Sequence, residues 1–174
     1  MIRSIDELKQ AYSAGEKMKF MMFWGHTPPQ DGWVNQSCLS QWYPCNFCVD
    51  DIKYSSAEQF MMAHKALLFN DLEIYDEILK ESNPAKVKAL GRLVKGFIKK
   101  RWDEASFDIV VKGNIAKFSQ NPKLHEFLLA TGSKIIVEAS PRDLILGIGL
   151  SKDNPSAQNP FEWRGKNMFN ILIR

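Results

Sequence analysis

The sequence predicts an α+β fold, a mainly helical single domain with a small sheet. Three observations carry that reading. Between residues 56 and 132 apolar side chains recur at three- and four-residue intervals, punctuated by cap and proline signals. Two short apolar runs outside that stretch, residues 19–24 and 134–139, read as strands. A chain of 174 residues, 45% of them hydrophobic, is long enough for one well-cored domain, and no repeat, low-complexity tract or linker divides residues 1–174.

The elements follow in chain order. Residues 1–19 form a helical lead-in: Ser4 and Glu7 have capping-box spacing, and Ile5, Leu8 and Tyr12 share a face. Residues 19–24 are a buried strand, ended by the Gly25-His26-Thr27-Pro28-Pro29 turn. Residues 25–46 are irregular and rich in Trp, Pro, Asn and Gln, the kind of long loop that lines a site. Tyr54 ends a strand, and Ser56 opens a helix in which Gln59 has the spacing to reach back to the cap. A second helix spans residues 71–80, with Leu72, Tyr75, Ile78 and Leu79 on one face.

Asn83 and Pro84 then cap and start a helix that turns Val87, Leu90, Val94, Phe97 and Ile98 inward. Its outer side carries Lys86, Lys88, Arg92, Lys95, Lys99, Lys100 and Arg101, which for most of these residues reads as a solvated face. Trp102 begins a segment with Phe107, Val110, Val111, Asn114 and Phe118 at helical spacing. Asn121-Pro122 repeats the cap-and-proline signal, and that last helix of the series runs to Thr131-Gly132. Residues 134–139 give the clearest strand.

Composition narrows the function. Charges of both signs are plentiful, and a net charge of +3 does not by itself indicate a nucleic-acid binder. No apolar run has the length of a membrane span and no signal peptide is visible, so a cytoplasmic protein without membrane contact is expected. The odd count of three cysteines points to a reducing compartment. Cys45 and Cys48 form a C-x-x-C near Cys38, but a structural zinc needs four ligands and neither His26 nor His64 lies at finger spacing. Buried free thiols and no metal are expected. No histidine sits where a hydrolase triad would need one.

The helix opened by Ser56 holds the most suggestive pair. Glu58 falls in its first turn, where exposed N–H groups and the macrodipole favour a carboxylate. Lys65 lies two turns on, on the same face and about 10 Å further along the axis. On spacing alone the two also read as surface charges of an ordinary amphipathic helix.

Ser40-Gln41-Trp42-Tyr43-Pro44, followed by Tyr54-Ser55-Ser56-Ala57-Glu58-Gln59-Phe60 and Lys65, resembles the opening of the NADAR (YbiA-like) family. The likeness continues through Trp102 to Val110, Ala116-Lys117-Phe118 with Asn121, and Leu128-Leu129-Ala130-Thr131-Gly132. It goes on in Val137-Glu138 with Asp143, Gly147 to Pro155, and Trp163-Arg164-Gly165-Lys166-Asn167, with Asn167 opening a last helix. It covers roughly residues 20–174. Two positions depart from the family pattern: Gln41 stands where an Asn is usual, and Leu146 where a Trp is usual.

The resemblance implies an N-glycosidase that needs no cofactor and acts on a ribosyl compound. The implied substrate is a phosphorylated ribosylamino-pyrimidine intermediate of riboflavin synthesis; the alternatives are ADP-ribosylated guanine in nucleic acid, or a module that binds NAD or ADP-ribose without turnover. Cleaving a ribose C1–N bond builds an oxocarbenium-like centre that calls for nearby negative charge and a nucleophile. Glu58, Lys65 and Asp143 are then the catalytic candidates, with Lys65 able to form a Schiff base. Trp42 and Trp102 are placed to stack on a base, and Arg92 and Lys117 to hold phosphate. Gly147 and Gly149 would let backbone approach the ligand, and Asn167 completes the binding set. The residues themselves leave other roles open: core packing for Trp42, Trp102 and Phe118, a turn cap for Asp143, and a structural ion-pair partner for Glu138.

Overall fold

The computed structural model describes residues 4–168. The chain divides into two compact units, Met1–Ser40 with Glu126–Arg174, and Gln41–His125. Among the described residues there are six α-helices and two two-stranded sheets, so the single small sheet expected from sequence is two separate pairs.

In the first unit, α1 (Ile5–Ser13) starts at Ser4, whose hydroxyl accepts the Glu7 N–H at 3.0 Å. Strand β1 (Phe20–Phe23) runs parallel to β4 (Ile135–Glu138), with Phe20 opposite Ile135 and Phe23 opposite Glu138. Parallel pairing of strands so distant in sequence is a tertiary event, and Ile135, Ile136 and Val137 are all buried, as a strand covered on both faces requires. Leu8, Val137, Ile148, Leu150 and Trp163 form the core here.

The second unit begins with a hairpin, β2 (Phe47–Val49) and β3 (Ile52–Tyr54), antiparallel around Asp50 and Asp51. Both turn residues have positive φ, 52° and 62°, which a two-residue turn of this kind needs and which Asp tolerates. Helix α2 (Ala57–Leu68) lies at the centre, touching α3 (Leu72–Lys80), α4 (Pro84–Arg92) and α5 (Lys99–Ser119). Neighbours on several sides explain why its apolar residues do not keep to one stripe: Ala57, Phe60, Met62, Ala63 and Ala66 are all buried. Helix α6 (Pro122–Ala130) follows α5.

Two glycines set how closely these helices approach. A Cβ on Gly113 of α5 would lie 2.6 Å from Phe60 Cδ1, and one on Gly91 of α4 would lie 2.1 Å from Met62 Sδ. The methionine can move, whereas the fully buried phenylalanine cannot easily do so. Gly113→Ala should therefore cost about 1–3 kcal/mol of overpacking against the roughly 1 kcal/mol that alanine gains over glycine in a helix, so the protein gains no stability. A urea midpoint that rises on this substitution would refute the close-approach reading.

Three sequence expectations change. The helix expected to run from Pro84 to about Arg101 is two helices: α4 ends at Arg92 and α5 starts at Lys99. Gly96 takes φ +68°, a left-handed conformation that no helix continues through. Val94 is buried as expected, but Phe97 and Ile98 are exposed on the intervening connection instead of turned inward. The basic residues around it consequently do not share one helix face.

The cap of α2 also differs in detail. Ser56 accepts the Gln59 N–H at 3.1 Å, but Gln59 Oε1 takes the Ser55 N–H at 2.7 Å, one residue earlier than a capping box requires. Its amide nitrogen donates to Ile78 O and Glu81 O at 3.0 and 2.8 Å, tying the start of α2 to the end of α3. Of the three cysteines expected to be buried, Cys38 is, Cys45 is half-buried and Cys48 is exposed. Burial raises the Cys45 thiol pKa, and Lys117 nearby works against that rise. Among the described residues no three of His, Cys, Asp and Glu gather as metal ligands, and no helix is long and apolar enough to cross a membrane.

Candidate active site

The 40–44 motif and α2 are joined by backbone. Glu58 N–H donates to Gln41 O at 2.9 Å, so the segment bearing Trp42 and Tyr43 is held against the first turn of α2. Gln41 and Asn114 of α5 make reciprocal amide contacts, Gln41 Nε2 to Asn114 Oδ1 at 2.9 Å and Asn114 Nδ2 to Gln41 Oε1 at 3.4 Å. Gln41 thus acts as a structural bracket.

Glu58 is 2% exposed, which removes the surface-charge reading for it. A buried carboxylate is tolerated in the first turn of a helix because the terminal N–H groups and the macrodipole lie there. Two turns on, Lys65 is half-buried and its Nζ donates to Gly91 O at 2.7 Å. The same ammonium lies 4.4 Å from the Phe97 ring centroid and 5.7 Å from that of Trp102. Partial burial, and after it the charge of Arg92, lower the Lys65 pKa from the usual lysine value. The carbonyl and the aromatic faces favour the ammonium, but the direction follows desolvation. Glu58 is not among the groups that set the direction.

Of the expected binding residues, Arg92 and Trp102 lie near Lys65. Arg92 is exposed at the C-terminal end of α4, and Trp102 is half-buried in the first turn of α5. Trp42 is half-buried with Lys88 Nζ 5.6 Å from its ring centroid. Lys117 is different. It is 0% exposed, with its Nζ 5.1 Å from the Phe118 ring and 5.8 Å from that of Tyr43. Such an enclosed ammonium is not placed to hold a phosphate, and Lys117 is a buried charge behind the 40–44 motif.

The remaining candidates belong to the first unit, and there structure assigns them local work. Asp143 Oδ1 accepts the N–H groups of Ile145 and Leu146, both at 2.8 Å, and lies 3.4 Å from Gly147 N, which makes the carboxylate a turn cap. Ser140 Oγ accepts the Asp143 N–H at 3.2 Å. The room a Cβ would need at Gly147 is filled by the Asp143 and Glu138 carbonyl oxygens, both at 2.9 Å. At Gly149, which has φ +70°, Leu144 and Arg164 side chains fill it. Both glycines therefore serve close approach of protein to protein, in place of the ligand approach expected.

Asn167, 4% exposed with φ +46°, donates from Nδ2 to Ile136 O at 3.1 Å and accepts the Glu138 N–H at 3.3 Å. Its side chain takes the place of a neighbouring strand beside β4, which accounts for a buried Asn better than ligand binding does. The helix expected to open at Asn167 lies outside the described residues.

Sequence reasoning missed Phe97, placed inward on a helix, and Asp71, seen only as a helix start. The Lys95-Gly96 step was the available signal that the helix breaks before Phe97.

A family model described as the NADAR domain matches residues 22–173. The chain is 46% identical over 163 residues to an N-glycosidase of Acanthamoeba polyphaga mimivirus, covering 91% of this chain and 94% of that protein. It is 31% identical over 107 residues to a chloroplastic riboflavin biosynthesis protein of Zea mays, covering 58% of this chain and 17% of that one. The NMR structure of the E. coli protein YbiA superimposes with a TM-score of 0.69 at 24% identity, over 89% of this chain and 80% of the other, and so shares the fold.

Proposed function

The chain belongs to the NADAR family and is an N-glycosidase, and from that premise we propose that its substrate is a phosphorylated ribosylamino-pyrimidine, hydrolysed at the ribose C1–N bond. One observation supports this more than any other: Lys65 combines a lowered pKa with a fixed position against Gly91 O, Phe97 and Trp102, two turns from a buried carboxylate on the same helix. The named function of the maize relative, which concerns riboflavin biosynthesis, fits the pyrimidine substrate.

In this reading the unprotonated Lys65 amine attacks C1 of the ribose. The C1–N bond breaks with its electron pair on the leaving nitrogen, and the proton lost by the lysine nitrogen replaces the broken bond there. The lone pair of the Lys65 nitrogen then expels the ring oxygen: the C1–O bond breaks with its electron pair on oxygen, the remaining lysine N–H proton passes to that oxygen, and a Schiff base between Lys65 and C1 of the opened ribose results. Water adds to that carbon, the C–N bond to Lys65 breaks, and free sugar and amine result, so the sum is base–ribose plus water giving base and ribose. The Glu58 carboxylate stabilises the positive charge that develops at C1 and helps remove the proton from the attacking water. Trp102 stacks on the flat base, with Trp42 as a second platform, and the exposed guanidinium of Arg92 takes the phosphate.

Incubation with a ribosylamino-pyrimidine phosphate, followed by chromatography of the released base, tests the substrate. Absence of release, with release from an ADP-ribosylated guanosine oligonucleotide, would transfer the assignment to the second reading. That second reading has its own support in Arg92, Lys95, Lys100 and Arg101, exposed cations clustered in sequence beside Trp102. A nucleic-acid substrate would then bind with strongly salt-dependent affinity.

Arg92→Ala carries a further expectation. The rate through an amine nucleophile rises with pH as Lys65 loses its proton. Removing the Arg92 charge raises the Lys65 pKa, so that rise should move to higher pH in the variant while KM also increases. A pH–kcat profile that does not move on this substitution would separate Lys65 ionisation from turnover.

A further inference from the structure

Asp71 is buried, 7% exposed, and its carboxylate joins segments that are far apart in sequence. Oδ1 accepts the Ile74 N–H at 3.3 Å, capping α3, while Oδ2 accepts the Lys95 N–H at 2.8 Å. Its own N–H donates to Ala66 O at 2.9 Å, at the residue that follows Lys65 on α2. A helix cap needs only one of these oxygens. The second is spent on the connection between α4 and α5, which is otherwise irregular and largely exposed.

That connection carries Phe97. Immediately after Lys95 the chain turns through Gly96 at φ +68°, and two residues past the Asp71 bond the Phe97 ring lies 4.4 Å from Lys65 Nζ and 5.3 Å from the Phe69 ring. Although 44% exposed, Phe97 presents a face to the amine. We propose that Asp71 is a positioning residue for Lys65, holding residues 93–98 so that Phe97 covers the amine. Its importance for turnover rests on the reading of Lys65 as the reacting group; its effect on the surroundings of Lys65 does not.

The charged groups around the amine come from several elements. Arg92 closes α4, Arg101 near the start of α5 has its guanidinium 5.7 Å from the Phe69 ring, and Glu58 lies two turns back on α2. On α3, Glu73 pairs with Lys95 Nζ at 2.8 Å on the surface. None of them is altered by Asp71→Ser or Phe97→Ala, so a change at Lys65 in those variants reports the cover and not a new charge beside it, except for the carboxylate of Asp71 itself. Phe97→Ala, which changes no charge, controls for that exception.

Asp71→Ser keeps an oxygen able to cap α3 but is too short to reach Lys95 N–H as well. Lys65 acetylation can be followed against pH by mass spectrometry of its peptide, with an added N-acetyl-lysine amide as internal reference. In the parent protein Lys65 should reach half-reaction at lower pH than the free lysine derivative. In both Asp71→Ser and Phe97→Ala the half-reaction pH of Lys65 should rise by about one, as desolvation is relieved, with that of the reference amine unchanged. An unmoved Lys65 profile in Asp71→Ser beside a moved one in Phe97→Ala would overturn the role of Asp71. Profiles unmoved in both variants would overturn the covering role of Phe97 with it. If both profiles move while base release continues at the parent rate, the positioning stands and the reading of Lys65 as nucleophile fails. Should Asp71→Ser not fold, Lys95→Pro removes the same N–H from the other side, and if the clip exists it should move the profile beyond that of Lys95→Gln, which loses the same charge but keeps the N–H.

Discussion

Glu58→Gln should slow base release by about 10²–10⁴ while the protein remains folded. The substitution keeps the shape of a side chain that is 2% exposed and removes only its charge. The Glu58 N–H bond to Gln41 O is made by backbone and survives, as does the Ser56 cap two residues earlier. What disappears is the negative charge available to a developing oxocarbenium centre and to the attacking water. The macrodipole contribution of a first-turn carboxylate is also lost, roughly 0.3–1 kcal/mol, so melting temperature is measured beside rate. A rate loss that tracks unfolding, and vanishes where both proteins are fully folded, would reduce Glu58 to a helix-start residue.

Borohydride added during turnover should leave a ribosyl adduct on the peptide containing Lys65, and Lys65→Arg should abolish both adduct and turnover. The guanidinium keeps a positive charge near Gly91 O and the Phe97 ring but stays protonated at any accessible pH and cannot form the Schiff base. The size of the effect separates two mechanisms. If Lys65 only clamps a substrate through charge, arginine retains most of the activity and no adduct is trapped, and water attack assisted by Glu58 becomes the mechanism. Loss of the nucleophile instead removes the covalent route altogether, a fall at least as large as that expected for Glu58→Gln. Activity of the parent protein should also decline as pH falls, because protonation of an amine removes the attacking lone pair and the lowered Lys65 pKa sets where that decline begins.

Much of the second unit was legible in the chain. Ser56 and Gln59 placed the start of α2, Asn83-Pro84 that of α4, and the Glu58 to Lys65 spacing put both on one face, because caps and helical periodicity are local properties written within a few residues. The strands at residues 20–23 and 135–138 were visible from their apolar runs, but not that they pair in parallel. Fold family was legible as well, since the ordered motifs from Trp42 to Asn167 coincide with the matched NADAR region.

The candidate site was less fully legible, for a physical reason that recurs. A glycine, an Asn or an Asp in sequence does not say what fills the space beside it. Gly147 and Gly149 face protein, Asn167 pairs with β4 in place of a strand, and Asp143 caps a turn, all through contacts with residues distant enough that no spacing encodes them. Likewise Lys117 reads as a cation on a helix, and only packing encloses it beside Phe118 and Tyr43. The sequence by itself determined the starts of α2 and α4, the family, and the placing of Glu58 and Lys65 on one helix. Tertiary structure alone decided that Asp71 takes the Lys95 N–H and that Phe97 thereby comes to lie over the Lys65 amine, because these depend on where separate helices stop and what their ends must hydrogen-bond.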